Sequence, residues 1–162
     1  MKKRRLASRA TSADLDAIVE LEARSFAPHD RFARATWRHL LGPAARRGSS
    51  LTLVARKAGA VVGAVNGLLR ADSRILRIYS LAVDPSQRGR GLGGRLILAL
   101  VAAAPRRCAT VSLEVRYDNS GARMLYERLG FTVHERLPGY YPDGGAGVRY
   151  RVLRSALGSR VA

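Results

Sequence analysis

Between Ile75 and Val83 both alternating sets of side chains are mainly apolar: Ile75, Arg77, Tyr79, Leu81 and Val83 on one side, Leu76, Ile78, Ser80 and Ala82 on the other. A strand without a polar face belongs in the middle of a sheet that is covered on both sides. The rest of the chain has to supply that cover. Strand-like patterns recur at 51–56, 61–69, 110–116, 131–137 and 148–153, and a short first strand is expected within 4–10. Ala58-Gly59 joins the strands at 51–56 and 61–69 as a tight hairpin. Helical spacing follows Thr11-Ser12-Ala13-Asp14, whose Ser/Thr-x-x-acid order satisfies free amides at a helix start. That helix runs to about Arg24, and a second, between Phe26 and Leu41, is closed by Gly42-Pro43. A third is expected from about Gly91 to Ala104, and a fourth, capped by Asp118 or Asn119, ends near Leu129 before Gly130. These elements predict one α/β domain over residues 1–162, a mixed sheet of about seven strands with about four helices, frayed from about Ser155.

Composition removes several classes of function. The longest apolar stretch, residues 96–104, is far too short to span a bilayer. The start, Met1-Lys2-Lys3-Arg4-Arg5, is basic but has no apolar segment behind it, so no export signal is read and a cytoplasmic location is expected. Cys108 is the single cysteine and has no partner for an internal disulfide, which fits a reducing compartment. With His29, His39 and His134 scattered, the sequence offers no metal-ligand spacing, and no metal is expected. The formal charge of +17 invites a polyanionic partner, a ribosome or nucleic acid, held by salt-sensitive contacts. Yet lysine occurs only at Lys2, Lys3 and Lys57, and the arginines are spread along the chain without interleaved aromatics for base stacking. A surface that merely favours arginine accounts for the same charge. Nothing in the sequence calls for an obligate dimer, and a monomer is expected.

The central strand runs into Asp84-Pro85-Ser86-Gln87-Arg88-Gly89-Arg90-Gly91-Leu92-Gly93-Gly94. Here a buried strand feeds a glycine- and arginine-rich turn that opens a helix. Glycines let a ligand approach the backbone, and the first free amides of a helix, with its dipole, favour phosphate. Arg88 and Arg90 add charge-assisted donors that a pyrophosphate can use. Gly89-x-Gly91-x-x-Gly94 also satisfies the dinucleotide fingerprint, with Glu114 where its ribose-binding acid would stand. Against that reading, the spacer from Asp84 to Arg88 holds the glycines away from the strand end, and a hairpin precedes the unit.

Arg88-x-x-Gly91-x-Gly93 after Leu81-Ala82-Val83-Asp84-Pro85 resembles the coenzyme A signature of the GNAT N-acetyltransferases. Leu113-Glu114-Val115-Arg116, Asn119 and residues 122–131 resemble the second block of that family, and of its RimI-type members in particular. Gly139-Tyr140-Tyr141-Pro142-Asp143-Gly144 extends the similarity into a late loop. The resemblance implies a mostly antiparallel mixed sheet and acetyl-coenzyme A as co-substrate. It further implies that Leu81, Ala82 and Val83 pair with the pantetheine arm, while Arg88, Gly89, Arg90, Gly91, Leu92, Gly93 and Gly94 wrap the pyrophosphate and Asn119 holds the arm. By the same resemblance Glu114 is the general base, Tyr126 the general acid, and Tyr140 and Tyr141 wall the acceptor channel.

Each of these residues also has a plainer reading. Glu114 lies on the strand face opposite Val111, Leu113 and Val115, and could be a salt-bridged surface acid. Tyr126, read to the side of a core stripe formed by Met124, Leu125 and Leu129, could be a packing tyrosine. Asn119 could be only a helix cap, and Tyr140 and Tyr141 only loop aromatics. Many RimI-like sequences carry further acids after the Asp-Gly of the late loop; here Gly145-Ala146-Gly147 follows. The acceptor is expected to be a protein N-terminal α-amine, with lysine side chains, polyamines and other small amines as alternatives. An α-amine of pKa about 7.7–8.0 is on the order of 10% neutral at pH 7, against under ~0.1% for lysine, so a carboxylate base suits it better. A basic docking module that keeps a coenzyme pocket is the alternative outside enzymology.

Overall fold

The computed structural model describes residues 5–158 and builds them around one sheet. Its strands are β1 (Ser8–Arg9), β2 (Ser50–Lys57), β3 (Ala60–Leu69), β4 (Ile75–Val83), β5 (Thr110–Arg116), β6 (Thr132–Leu137) and β7 (Gly147–Leu153). The helices are α1 (Leu15–Ser25), α2 (Arg34–Leu41), the single turn α3 (Pro43–Arg46), α4 (Leu92–Ala103) and α5 (Ser120–Arg128). Strand order is β1-β2-β3-β4-β5-β7-β6, and every neighbouring pair is antiparallel except β4 with β5. α4 is the crossover that a parallel pair requires. Among the described residues no helix is long and apolar enough to cross a membrane.

Two cores lie on the two faces of the sheet. On one, α4 and α5 cover Leu76, Ile78, Val111, Leu113, Val148, Tyr150 and Val152. On the other, α1 and α2 bring Ile18, Leu21, Trp37, Leu40 and Leu41 against Val54, Val61, Ala64 and Ala82. That second cover reaches only as far as β4, so β5 and β7 present Ser112, Glu114, Arg149 and Arg151 beyond it. α4 lies close on β3 because β3 carries glycines there. A Cβ at Gly63 would stand 2.8 Å from Leu96 Cδ1, and one at Gly67 3.2 Å from Leu100 Cδ2.

Local chemistry explains most boundaries. Thr11 and Asp14 form the anticipated reciprocal cap, although the first turn is 3-10 and the α-helix proper starts at Leu15. Ala58 (φ 50°) and Gly59 (φ 82°) give the hairpin its pair of left-handed residues. α2 ends at Leu41 with Gly42 as its C-cap, as expected, and Pro43 then starts the single turn α3, where a missing N–H is no loss. On α5 the packed stripe is Ala122, Leu125, Tyr126 and Leu129, while Met124 is exposed. The expected stripe was therefore rotated: the helix presents the i, i+3, i+4, i+7 set to the core, and that set contains the tyrosine.

The chain end is packed further than expected. Leu157 rests on the larger core, and the Gly158 N–H donates to the Leu129 carbonyl at 3.1 Å. Arg154 is the reason. Its guanidinium donates to the carbonyls of Val101 (2.6 Å), Ala104 (3.2 Å), Pro105 (2.8 Å) and Cys108 (3.5 Å), filling acceptors that the end of α4 leaves open. The rest of the expected frayed tail, 159–162, lies outside the described residues, as does Arg4 of the expected first strand. Replacing Arg154 by alanine is expected to lower the unfolding free energy by about 2 kcal/mol, the scale of lost hydrogen bonds from a charged donor. Urea titration followed by circular dichroism checks this.

Candidate active site

The sheet opens at its one parallel pair. β4 and β5 are in register from Ile75↔Thr110 to Ile78↔Leu113 and no further. Beyond that point β4 stays paired with β3 as far as Val83, and β5 with β7 as far as Arg116. A bulge starts the divergence: Asn66 faces Ser80 but Gly67 faces Ile78, so Tyr79 is the extra residue on β4. Bulges bend a strand and sharpen its twist. The extra residue is held by stacking of Tyr79 on Phe32, with ring centroids 4.6 Å apart. The result is a gap whose sides are the facing edges of Leu81, Ala82 and Val83 on β4 and of Glu114, Val115 and Arg116 on β5.

Where β4 ends, the glycine turn begins. Asp84 caps a 3-10 turn by accepting from the Ser86 N–H, and the Ser86 interactions hold its carboxyl below the ordinary range. Gly89 (φ 75°) and Gly91 (φ 74°) are left-handed, and Gly91 starts α4. No atom lies within 4 Å of where their Cβ atoms would be, so it is the backbone conformation that favours glycine there. Gly93 and Gly94 serve packing instead. A Cβ at Gly93 would lie 3.3 Å from Leu125 Cδ2 and 3.7 Å from both Leu81 Cδ2 and Val83 Cγ2. The helix start is thus held against both β4 and α5. Leu92 is buried beside it. Arg88 donates to the carbonyls of Val83 (3.3 Å) and Ser25 (3.0 Å), fastening the turn to α1. Three of its five N–H groups remain, and Arg90 is exposed.

Tyr126 and Glu114 stand in contrasting surroundings. Tyr126 is buried on the α5 side, its ring 5.9 Å from Phe131 and 6.2 Å from Tyr150. Burial, with a smaller contribution from Tyr141, pushes its hydroxyl up to about 12. No described residue hydrogen-bonds that hydroxyl. Glu114 lies on the opposite face with its side chain 9% exposed. One carboxylate oxygen accepts from Arg77 Nε at 3.0 Å and the other from Arg149 Nε at 3.1 Å. Two of its roughly four acceptor positions stay open. Asn119 caps α5, its side-chain oxygen accepting from the Ala122 N–H at 3.2 Å. That cap does not occupy its amide nitrogen.

Sequence reasoning missed the residues that hold these parts in place. Arg116 joins two loops: its Nη1 donates to both oxygens of Asp143 (3.1 and 3.0 Å), its Nε to Asp30 at 3.1 Å, and it stacks 4.3 Å over the Tyr141 ring. Tyr141 is thereby half-buried beside the opening, and Tyr140 packs edge-on against it at 5.1 Å. Burial also pushes the Tyr141 hydroxyl up to about 12. α5 is fixed to β7 by the Tyr150 hydroxyl, which donates to Glu127 (2.8 Å) and accepts from Arg123 (2.9 Å). A signal for the polar face existed in the alternation of Ser112, Glu114 and Arg116 with Val111, Leu113 and Val115. Beside Glu114 is a cavity of about 440 Å³ bordered by Arg70, Arg77, Ser112, Tyr140, Arg149 and Arg151, among others. Among the described residues no cluster of histidine, cysteine or acidic side chains is able to hold a metal ion.

A mixed sheet opened at its one parallel pair, with a glycine turn and helix start at the mouth, is the framework of an acyl-transfer enzyme. The acetyltransferase (GNAT) family model matches residues 15–131, and the chain belongs to that family. It is 34% identical over 139 residues to the N-alpha-acetyltransferase RimI of Mycobacterium tuberculosis, covering 84% of each chain. To the mycothiol acetyltransferase of Clavibacter michiganensis it is 36% identical over 124 residues, 75% of this chain but 40% of that one. The structure is similar to the ribosomal-protein-S18-alanine N-acetyltransferase of Escherichia coli, with TM-score 0.79 and 26% identity over 91% of this chain and 92% of that one.

If Arg116 is what anchors the loop bearing Tyr141, Arg116→Ala should release it. Amide hydrogen exchange at Gly144 and Gly145 is expected to quicken about tenfold, because a lost ion pair of this kind shifts local opening by on the order of 1.5 kcal/mol. Unchanged exchange would show the loop to be held by its own turns.

Proposed function

We propose that this acetyltransferase moves the acetyl group of acetyl-coenzyme A onto the α-amine at a protein N-terminus, in the cytoplasm. The reading is supported by the parting of β4 and β5 after Ile78 and Leu113, with Glu114 bordering a polar cavity on one face of the sheet and Tyr126 buried on the other. Similarity to the RimI of M. tuberculosis supports the choice of acceptor.

The residues fit acetyl-coenzyme A. Its pyrophosphate would lie on the turn from Arg88 through Gly94, where left-handed glycines and the first amides of α4 are open to an anion. Its pantetheine arm would follow the unpaired edge of Leu81, Ala82 and Val83, with the free amide of Asn119 beside it. When bound, it supplies a thioester whose acyl carbon accepts an amine. The attacking nitrogen must be neutral, and Glu114, directly or through a water, takes the proton it sheds. Arg77 and Arg149 hold that carboxylate in one orientation without filling its acceptor positions. An amide bond forms, the carbon–sulfur bond breaks, and Tyr126 Oη gives its proton to the departing sulfur. Burial keeps Tyr126 a donor at every working pH, since its hydroxyl ionises only near 12. Tyr140 and Tyr141 wall the acceptor's approach.

Tyr126→Phe is expected to lower kcat by on the order of 100-fold while coenzyme affinity, read by calorimetry, stays within about twofold. The sign of the pH dependence follows from the raised value: Tyr126 remains protonated and active below about 12. It therefore contributes no alkaline fall in the rate between pH 7 and 10. A basic limb in that range that disappears in Tyr126→Phe would remove the residue from the donor role. Full activity in both Tyr126→Phe and Glu114→Gln would overturn the assignment of acid and base.

A further inference from the structure

The cavity beside Glu114 has a charge pattern at odds with a cationic acceptor. Four arginines border it, Arg70, Arg77, Arg149 and Arg151, against the single carboxylate of Glu114. Glu135 pairs with Arg149 from outside the cavity, which still leaves an excess of two positive charges. Arg70 and Arg151 have no carboxylate partner among the described residues. The Arg151 Nε is buried without a hydrogen bond.

Strand register places these groups. Arg77 is opposite Ser112 across the β4–β5 pair, and Ser112 is opposite Arg151 across the β5–β7 pair. One row of the sheet therefore reads arginine, serine, arginine, with a small side chain between two long cationic ones. Ser112 is 4% exposed, borders the cavity, and its hydroxyl has no partner among the described residues. Two arginines flanking a serine on the wall of one cavity offer a carboxylate charge-assisted hydrogen bonds from both guanidinium groups and a third from the hydroxyl. Glu114 stands two residues along β5, about 7 Å away by strand rise. An extended peptide spans about 3.3–3.6 Å per residue. A peptide with its amine at Glu114 thus has its second α-carbon about 5 Å along, from which an acidic side chain can span the remaining distance to Ser112.

We propose that this cavity seats the acceptor peptide and selects an acidic one, with aspartate or glutamate in its second position. The carboxylate is taken by Arg77, Ser112 and Arg151, and Arg70 adds positive charge at the far end. A polyamine or a peptide that begins with basic residues meets the same excess of charge as repulsion. The proposal rests on the acetyl-transfer reading above and adds to it the class of acceptor.

The test uses the whole protein, acetyl-coenzyme A and three peptides that differ only at the second residue, Ala-Glu, Ala-Ala and Ala-Lys. Initial rates are read by mass spectrometry. The expected result is kcat/KM at least tenfold higher for Ala-Glu than for Ala-Ala, with Ala-Lys lowest, and a preference that shrinks as salt is added. In Arg151→Gln the ratio of Ala-Glu to Ala-Ala should fall toward one. Acetylation of Ala-Ala or Ala-Lys as fast as Ala-Glu by the wild-type protein overturns the acidic selection and leaves the enzyme reading intact. No acetylation of any peptide, with acetyl-coenzyme A bound as judged by thermal shift, overturns both.

Discussion

Everything that distinguishes the two faces of this protein depends on β4 and β5 ceasing to pair after Ile78 and Leu113. Buried backbone amides and carbonyls left without partners are costly, so a sheet opens at its centre only where something else stabilises the divergence. Here β4 keeps its partner β3 and β5 keeps β7, so each strand loses hydrogen bonds on one edge only. The extra residue Tyr79 is stacked on Phe32 from the α1–α2 connection, and Arg88 and Arg24 tie the end of β4 to the end of α1. On the far side, α4 can follow β3 closely only because Gly63 and Gly67 present no side chains to Leu96 and Leu100. The opening is therefore a feature of packing on both faces. A substitution off the two parting strands, at Gly67 on β3 or Phe32 before α2, acts on the same geometry as one on β4 or β5.

Much of this was legible from residue order. The double-faced apolar pattern of β4 placed it centrally, the Ala58-Gly59 pair marked a turn with two left-handed residues, and the Thr11–Asp14 spacing predicted a reciprocal cap that the structure contains. Strand and helix limits follow from local chemistry, which a sequence records directly. What could not be read is relational. Nothing in the residues from 132 to 153 announces that β7, the later strand, inserts between β5 and β6. Nor does the spacing around Asn66 and Tyr79 reveal a bulge, since the extra residue is defined only against its neighbour. Tyr126 illustrates the same limit. Helical spacing alone allows a stripe through Met124, and only the positions of Gly93, Phe131 and Tyr150 decide that the tyrosine faces inward. The arginine-lined cavity needed three strands in register before its charge could be counted.

The high positive charge takes on a different character once the arginines are followed individually. Arg31 donates to the Ala23 and Phe26 carbonyls at the end of α1, and Arg154 does the same for α4. Arg88, Arg95 and Arg107 donate to turn carbonyls at 83, 91 and 70 respectively. A guanidinium offers five N–H donors in a fixed fork and bridges several carbonyls at once, which an ammonium group on a flexible stem does less well. The preference for arginine over lysine thus has a structural use that requires no nucleic acid. These arginines close helix ends and turns, and in doing so they are dispersed around the molecule rather than gathered into one stripe.

Charge is concentrated where the sheet has no helical cover. Beyond β4, α1 and α2 no longer cover that face, so the outward residues of β5 and β7 line a polar cavity rather than an apolar core. Glu114 is the exception to the sign of its surroundings, and two arginines keep it in place. On the other face Tyr126 is enclosed by Phe131, Tyr150 and Leu125, a setting that favours its neutral form. The same sheet therefore separates a polar, charged side from an apolar one, and β4 and β5 part between them after Ile78 and Leu113. An acid that must stay protonated and a base that must stay reachable by water have opposite solvent requirements. A divided sheet offers both surroundings to residues twelve apart in the chain, the proposed base Glu114 and the proposed acid Tyr126, without either environment having to compromise the other.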